Sequence, residues 1–314
     1  MRQRSDLVTI PTLTLALAAV SGCAQRGDLI GFLAPISGDG GPGDGMTGDG
    51  FVAASAPRFA PPQLVAALSD PMADDEDPSF TGDLRELYFS STRGGTADIW
   101  LSRRASPADP WGPPVLVPEL SSSTAIDRSP SVSLDGLAMW FATDRDTTRG
   151  RLWRSSRATR ADPWAIPVPV LELASPNFDS APAVDATETT LYFASIRPGS
   201  AGTDIYASTR VAVSAPWGLP QRVPGLDTPA DEGDPFVAQG GLVVFFTLTR
   251  GMQVDLYWSA RRSTDATFPL GLPVADVNSP FMDKDAALSP DLLYLMFASN
   301  RSGNIEIYET HAVN

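Results

Sequence analysis

One pattern repeated five times, about 52 residues apart, limits what this chain can fold into. Arginines recur at spacings of 52, 52, 53 and 51 residues: Arg93, Arg145, Arg197, Arg250 and Arg301. Each arginine follows an apolar run, and an acidic residue stands about a dozen residues before each run: Asp75, Asp127, Asp179, Glu232 and Asp283. A fixed period of this length with strand-like segments is typical of a β-propeller, in which each repeat forms one blade.

The first copy contains the four strands that a propeller blade needs. Residues 77–80 form a short strand with a proline, residues 86–91 and 98–103 follow, and residues 115–117 form the fourth strand. The second strand has consecutive apolar residues at its centre, as expected when neighbouring sheets cover both faces. The sequence therefore predicts an all-β fold of five four-stranded antiparallel blades, with no helix required.

The aromatic motif before the fourth strand is displaced by one repeat. It occurs in five copies: Phe59, Trp111, Trp164, Trp217 and Phe268. Its first copy precedes the first three-strand unit, and the last unit, residues 283–310, has no fourth strand after it. We expect residues 60–68 to pair with residues 283–310, because this pairing closes the ring and removes two open sheet edges. The propeller then spans residues 59–314.

The repeat resembles the TolB-type propeller repeat, which is WD-like and has a Pro-Asp turn. Residues 127–136 (Asp-Arg-Ser-Pro-Ser-Val-Ser-Leu-Asp-Gly) and 298–308 (Ala-Ser-Asn-Arg-Ser-Gly-Asn-Ile-Glu-Ile-Tyr) carry the resemblance. Departures are Arg151 for the third-strand acid, Ala286 for proline, and Gln-Gly-Gly at the turn of residues 239–241. We expect no α/β domain of the TolB kind ahead of the repeats, so the translocation role of TolB is not carried over.

The N-terminus reads as an export signal that ends in a lipidation site. A positively charged start precedes residues 7–20, an apolar segment too short for a typical transmembrane helix. Residues 20–23, Val-Ser-Gly-Cys, resemble the bacterial lipobox, with an ordinary secretory signal as the alternative. We predict a lipoprotein signal peptide over 1–22, lipid on Cys23, and a flexible Gly/Asp-rich tether over 23–58. The expected location is the bacterial cell envelope, on the outer membrane, facing the periplasm or the cell surface.

The composition argues against several classes of function. The net charge of −14 disfavours nucleic acid and anionic membrane surfaces as partners, so membrane attachment is expected through the lipid only. Cys23 is the only cysteine, which excludes a disulfide within the chain. His311 is the only histidine, which argues against a His-based triad or a multi-histidine metal site. We predict no catalytic residue, no metal site and no cofactor, and we expect a monomeric propeller.

The repeated arginines and acids each have a functional and a structural interpretation. The arginines either form a ring that binds an anion, or bond to loop carbonyls and to acids of their own or the adjacent blade. The acids either cap loops, or line the channel mouth to bind a cation or hydrolyse a glycosidic bond. Hydrolysis needs carboxyl groups with different tasks, whereas these acids are equivalent, so we favour the structural interpretation of both sets. The repeated tryptophans, which either stack on sugars or pack between blades, are interpreted in the same way.

The fold and the repeat lead to three hypotheses for function. The first is a lipid-anchored, non-enzymatic binding or scaffold module; the TolB resemblance implies an envelope protein as partner, such as a peptidoglycan-associated lipoprotein of the OmpA type. The second is a propeller that binds or hydrolyses a cell-surface glycan. Non-equivalent carboxylates in the channel would favour this hypothesis, and apolar side chains there would oppose it. The third is an anchored subunit without a ligand. Three loops differ most between copies and are the predicted binding region: 144–149, 197–202 and 228–233.

Overall fold

Five four-stranded antiparallel sheets stand in a ring in the computed structural model, which describes residues 57–146, 150–200 and 202–313. Each sheet is one blade, and blades I to V follow the order of the chain. The inner strands are β2 (Asp75–Phe80), β6 (Asp127–Val132), β10 (Asp179–Val184), β14 (Asp231–Ala238) and β18 (Asp283–Leu288). The second strands are β3 (Glu86–Ser91), β7 (Ala138–Thr143), β11 (Thr190–Ser195), β15 (Val243–Arg250) and β19 (Tyr294–Ser299). The third strands are β4 (Asp98–Arg103), β8 (Arg151–Ser156), β12 (Asp204–Thr209), β16 (Gln253–Ala260) and β20 (Glu306–His311). The outer strands are β1 (Gln63–Leu64), β5 (Val115–Leu116), β9 (Val168–Pro169), β13 (Gln221–Arg222) and β17 (Leu272–Pro273).

The inner strands contact one another in a closed cycle around a central channel: β2 with β6, β6 with β10, β10 with β14, β14 with β18, and β18 with β2. This cycle confirms the predicted five-bladed β-propeller. Among the described residues only Leu171–Leu173 form a helical turn, of the 3₁₀ type. No helix in this part of the chain is long and apolar enough to cross a membrane.

The second strand of each blade supplies most of the core, because neighbouring blades cover both of its faces. Leu87, Tyr88 and Phe89 of β3 are all fully buried, although successive strand residues point to opposite faces. Trp164 of blade II lies edge-on to Tyr88 of blade I, with the ring centroids 5.9 Å apart. Apolar clusters of this kind lie between blades, so packing between blades holds the ring together.

Strand β1 completes blade V, whose other three strands come from the C-terminus. Gln63 pairs with Glu309 and Leu64 pairs with Tyr308 in an antiparallel ladder. The predicted closure of the ring is confirmed. The regular ladder is shorter than the predicted segment, residues 60–68, and it matches the other four outer strands, which also have two residues each.

The predicted N-terminal segments lie largely outside the described residues. This applies to the signal peptide over 1–22, to Cys23, and to all but the last two residues of the tether over 23–58. Those boundaries and the lipidation stay predictions. The predicted start of the propeller falls on a buried residue, Phe59, which forms an isolated bridge with Ala312.

Deleting residues 59–68 from the full chain is expected to destabilise the whole ring. The deletion leaves the edge of β20 unpaired and removes the buried side chains of Phe59, Val65 and Leu68. Burial of one such side chain contributes about 1.5–3 kcal/mol, so we expect the free energy of unfolding to fall by roughly 5 kcal/mol. Urea unfolding measures this change, with a deletion of residues 38–45 as the control. An unchanged midpoint for the 59–68 deletion would contradict the closure.

Candidate functional site in the central channel

A β-bulge in each inner strand turns one side chain toward the channel. In β2 the pairing register with β3 shifts between Glu76 and Ser79, and the other four inner strands shift at the equivalent place. The first bulged residue of each strand has a positive φ, between 46° and 59°: Asp77, Ser129, Ala181, Asp234 and Asp285. Positive φ is uncommon outside glycine, and aspartate adopts it more readily than most residues. These five residues line one level of the channel, as bulges near functional sites often re-aim side chains.

Three of the five bulge positions carry carboxylates, and they come from neighbouring blades. Asp234, Asp285 and Asp77 belong to blades IV, V and I, whereas blades II and III have Ser129 and Ala181. One carboxylate oxygen of each aspartate lies within 4.8 Å of those of the other two. We call these three aspartates the acid layer. The sequence analysis missed this layer. The available signal was an aspartate two residues after the repeated acid (Asp75, Glu232 and Asp283) in only three of the five repeats.

Hydrogen bonds from adjacent strands hold the acid layer in place. The Ser90 hydroxyl and the Ser129 amide donate to Oδ2 of Asp77, at 2.7 and 3.0 Å. The Asp77 amide donates to Oδ2 of Asp285 at 3.3 Å and so links blade I to blade V. Oδ1 of Asp285 is buried and has no hydrogen-bond partner among the described residues. The layer is therefore fixed by its surroundings, with one acceptor oxygen unused.

One ammonium group compensates the acid layer only in part. Lys284, the only lysine, places Nζ 3.1 Å from Oδ2 of Asp285 and 2.5 Å from Oε2 of Glu76. Burial raises the pKa of Asp77 to about 7, and repulsion by Asp285 and Glu76 adds to this rise. Burial also raises the pKa of Asp234, and it raises the pKa of Asp285 well above its usual range, although Lys284 lowers both. Four carboxyl groups thus share one ammonium, so this level of the channel holds protons or attracts a cation.

Among the described residues, the acid layer is the group whose carboxylate oxygens lie close enough together to hold one metal ion. Carboxylate oxygens are the ligands that Ca²⁺ and Mg²⁺ prefer, so the donor atoms suit a hard cation. The ammonium of Lys284, 3.1 Å from Asp285, opposes a second positive charge at this place. The sequence analysis expected no metal site and named none of these three aspartates as ligands.

Next to the acid layer the channel opens into an apolar cavity, which we call the funnel; its volume is about 1080 Å³ when the solvent at its open mouth is included. The residues that follow the bulge position line both the funnel and the smaller cavity, of about 300 Å³, at the acid layer: Pro78, Pro130, Pro182, Pro235 and Ala286. Val132, Val184, Phe236 and Leu288 contribute to the funnel wall, and Leu134 lies at its edge with 44% of its surface exposed. The polar side chains of the wall are few: Ser79, Ser131, Asp185 and Gln239.

Four of the five repeated arginines form ion pairs with buried acids: Arg93 with Asp75, Arg145 with Asp127, Arg197 with Asp179, and Arg301 with Asp283. In blade I, Nη2 of Arg93 lies 2.6 Å from both Oδ1 of Asp75 and the Leu68 carbonyl, and Nε donates to the Ser91 hydroxyl at 2.8 Å. The Asp70 amide donates to the other oxygen of Asp75 at 3.1 Å, which caps the preceding loop. None of the five repeat acids lines the funnel or the acid-layer cavity.

Blade IV departs from this arrangement. Leu248 replaces the serine or threonine that accepts the arginine Nε–H in the other blades, and Arg250 donates instead to the Tyr257 hydroxyl at 3.2 Å. Glu232 is buried and accepts from the Thr228 amide at 3.2 Å rather than from an arginine. Burial raises the pKa of Glu232 to about 7. The sequence analysis grouped Arg250 and Glu232 with the other four pairs, and Leu248 is the residue that separates them.

A second set of arginines, which the sequence analysis missed, covers the repeated aromatic residues. The guanidinium carbons lie 4.0 to 4.4 Å from the ring centroids: Arg104 over Trp111, Arg157 over Trp164, Arg210 over Trp217, and Arg261 over Phe268. The Nε group of Arg104 donates to the Leu84 carbonyl at 2.6 Å, which ties the arginine to the turn of its own blade. The aromatic rings are buried, and the guanidinium groups cover them, so they offer no open face to a sugar.

The described residues of the three loops that differ most between repeats lie at the end of the ring opposite the funnel. Residues 144–149 and 197–202 follow second strands, and residues 228–233 lead into an inner strand. The funnel is lined by the other ends of the inner strands and by the turns after them. The structure therefore does not bring the predicted binding loops to the funnel; residues 147–149 and 201 lie outside the described part of the chain.

Comparisons with known proteins bear on the fold. No protein-family model matches the chain, and no curated protein is similar enough in sequence to count as a relative. Among solved structures, TolB from Acinetobacter baumannii is 15% identical with a TM-score of 0.48, and the match covers 76% of this chain and 54% of that one. A family 117 glycoside hydrolase from Zobellia galactanivorans is 10% identical with a TM-score of 0.57, covering 82% and 90%. An arabinanase from Bacillus subtilis is 10% identical with a TM-score of 0.55, covering 76% and 94%. The two glycosidase matches show the fold alone.

The chain is a five-bladed β-propeller in architecture. All five blades have the acid at the start of the inner strand; the arginine follows the second strand in four blades and ends it in blade IV. Because the chain spans about half the length of the Acinetobacter TolB, the activity and partners of TolB are only proposals for this chain.

Replacing Asp77 with Asn is expected to stabilise the protein at alkaline pH. The raised pKa means that the folded protein holds the Asp77 proton more tightly than the unfolded chain does, so this residue's contribution to stability falls as pH rises from about 4 to about 7. An asparagine stays neutral, tolerates positive φ and keeps an oxygen for the Ser90 and Ser129 donors. We expect a gain on the order of 4 kcal/mol at pH 8, since one pKa unit corresponds to about 1.4 kcal/mol and the pKa rises from about 4 to about 7, and little change at pH 4. Urea unfolding at both pH values tests this, and an equal effect at both would contradict it.

Proposed function

We propose that this protein is a lipid-anchored, non-enzymatic binding module of the bacterial cell envelope that takes a segment of a partner protein into its funnel. The observation that carries the proposal is the apolar wall of the funnel, with four polar side chains among the twenty-two residues that line it. Pockets that bind apolar groups have such walls with few polar contacts. A sugar ring presents hydroxyl groups in many directions, and the side chains of this wall offer them few partners. The TolB-type repeat points to another envelope protein as the partner, such as an OmpA-type peptidoglycan-associated lipoprotein.

The alternative is a propeller that binds or hydrolyses carbohydrate. It draws support from the pKa of about 7 for Asp77, which suits a general acid, and from the non-equivalent carboxylates in the channel. One oxygen from each of the three aspartates lies within 4.8 Å of those from the other two, however. Carboxyl groups that hydrolyse glycosides stand about 5–5.5 Å apart in retaining enzymes and about 6.5–9.5 Å apart in inverting ones. We therefore place the binding of a protein segment first.

Replacing Leu134 with Glu is expected to abolish capture of the partner. The substitution puts a charge at the edge of the funnel, where 44% of the leucine surface is exposed, so it should leave the core intact. Crosslinking in intact cells of the source bacterium, followed by mass spectrometry, measures the captured protein. The matched control is Met252→Glu, since Met252 is fully exposed in the turn between β15 and β16, at the opposite end of the ring. Equal capture by both variants, or retention of cell-wall glycan in place of a protein, would contradict the proposal.

Replacing Cys23 with Ser is expected to move the protein from the membrane fraction to the soluble fraction. The prediction rests on the lipobox-like residues 20–23 and on the membrane affinity that acyl chains give to a protein. Fractionation of cells followed by immunoblotting measures the distribution. Ser21→Ala keeps a small residue before the cysteine and is the control. A serine variant that stays with the membrane would show that the anchor is not on Cys23.

A further inference from the structure

When its carboxyl groups are ionised, the acid layer carries more negative charge than its surroundings compensate. Asp77, Asp234 and Asp285 come together in the channel. Lys284 links Glu76 to them, because its ammonium contacts both Glu76 and Asp285. The ammonium of Lys284 is the one cation that contacts this group in the described part of the chain. Because Asp285 is buried and the other two aspartates are half-buried, bulk water screens the remaining charge only in part, and this charge favours a cationic guest.

One buried oxygen of the acid layer has no hydrogen-bond partner. Oδ1 of Asp285 belongs to a side chain of a residue with 5% exposure, and no donor reaches it among the described residues. A buried acceptor without a donor costs free energy, which a ligand with N–H groups recovers on binding. The bulge of β18 places Asp285 in the wall of the cavity that Asp77 and Asp234 also line.

The funnel and the acid layer adjoin along the channel. A single ring of residues, which includes Pro78 and Pro235, lines both cavities. Successive residues of a strand rise about 3.3 Å, so the acid layer lies one residue below this ring and only a few residues below the funnel edge. The two cavities therefore present an apolar wall that ends in carboxylates.

This combination matches the chemistry of one side chain. Arginine buries its methylene groups along apolar surface and keeps its charge at the tip. Its guanidinium is weakly hydrated and donates several N–H bonds in one plane, which suits a buried carboxylate better than an ammonium does. A singly charged guanidinium also meets less repulsion from Lys284 than a divalent metal ion would.

We propose that the channel binds an arginine side chain of the partner segment, with the methylene groups between the apolar funnel residues and the guanidinium on Asp285 and Asp234. This inference rests on the proposed function, because the funnel must first accept a protein segment. It adds the chemical identity of the anchor: an arginine flanked by apolar residues.

Selection of random displayed peptides on the immobilised full chain tests both levels. We expect the enriched peptides to share an arginine beside an apolar residue. The best peptide, measured by calorimetry, should bind about ten-fold or more weakly when its arginine is replaced by citrulline, which keeps the shape and removes the charge. Asp285→Asn and Asp234→Asn should weaken it similarly, and on these variants the citrulline change should add little. Asp109→Asn, in the exposed loop between β4 and β5, is the control and should bind as the native chain does.

The outcomes separate the inference from the proposed function. Peptides that bind in a Leu134-dependent way, but equally well with citrulline, leave the proposed function standing and overturn the arginine anchor. If such peptides are found and calcium chloride also raises the melting temperature, the acid layer binds a metal ion, and the arginine anchor is again overturned. If no enriched peptide depends on Leu134, the proposed function fails, and the inference fails with it. The citrulline comparison uses the native chain, so it decides the matter even if an aspartate variant does not fold.

Discussion

Closure of the ring by β1 is the constraint on which the rest of the structure depends. A blade buries the two faces of its second strand only if a neighbour stands on each side, and blade V has a complete fourth strand only because Gln63 and Leu64 pair with β20. The chain contributes no disulfide to hold this junction, since it has one cysteine. The ladder of hydrogen bonds and the side chains packed between blades V and I therefore carry the closure.

Polar contacts fix the loops and turns on this apolar frame. At one end of the ring, arginines after the second strands neutralise the buried acids of the inner strands in four blades. Near the outer strands, other arginines cover buried aromatic rings and bond to turn carbonyls. A contact that recurs in blade after blade, away from the cavities, is typical of a structural role. The functional candidates are consequently the places where the five blades differ.

The channel is where the blades differ most in chemical character. All five inner strands bulge at the same position, so the backbone geometry is repeated, but only blades IV, V and I place an aspartate there. The fold thus supplies a symmetric set of five inward positions, and the side chains make it asymmetric. The apolar funnel lies on one side of this layer, and the layer itself is a partly compensated cluster of carboxylates. The chemistry of the channel therefore changes along its length.

The sequence by itself determined the number of blades, the four strands of each blade and the closure, because a period of about 52 residues and alternating turns and apolar runs are local patterns that a chain displays without being folded. It also identified the acid and arginine sets, although it did not separate Arg250 from the other four, since that difference depends on whether Leu248 or a hydroxyl stands beside the guanidinium. Only the tertiary structure decided that Asp77, Asp234 and Asp285, which lie up to 208 residues apart, share one level of the channel. The physical reason is that bulges set the direction of these side chains and ring closure sets their distances, and neither quantity is encoded in a single repeat.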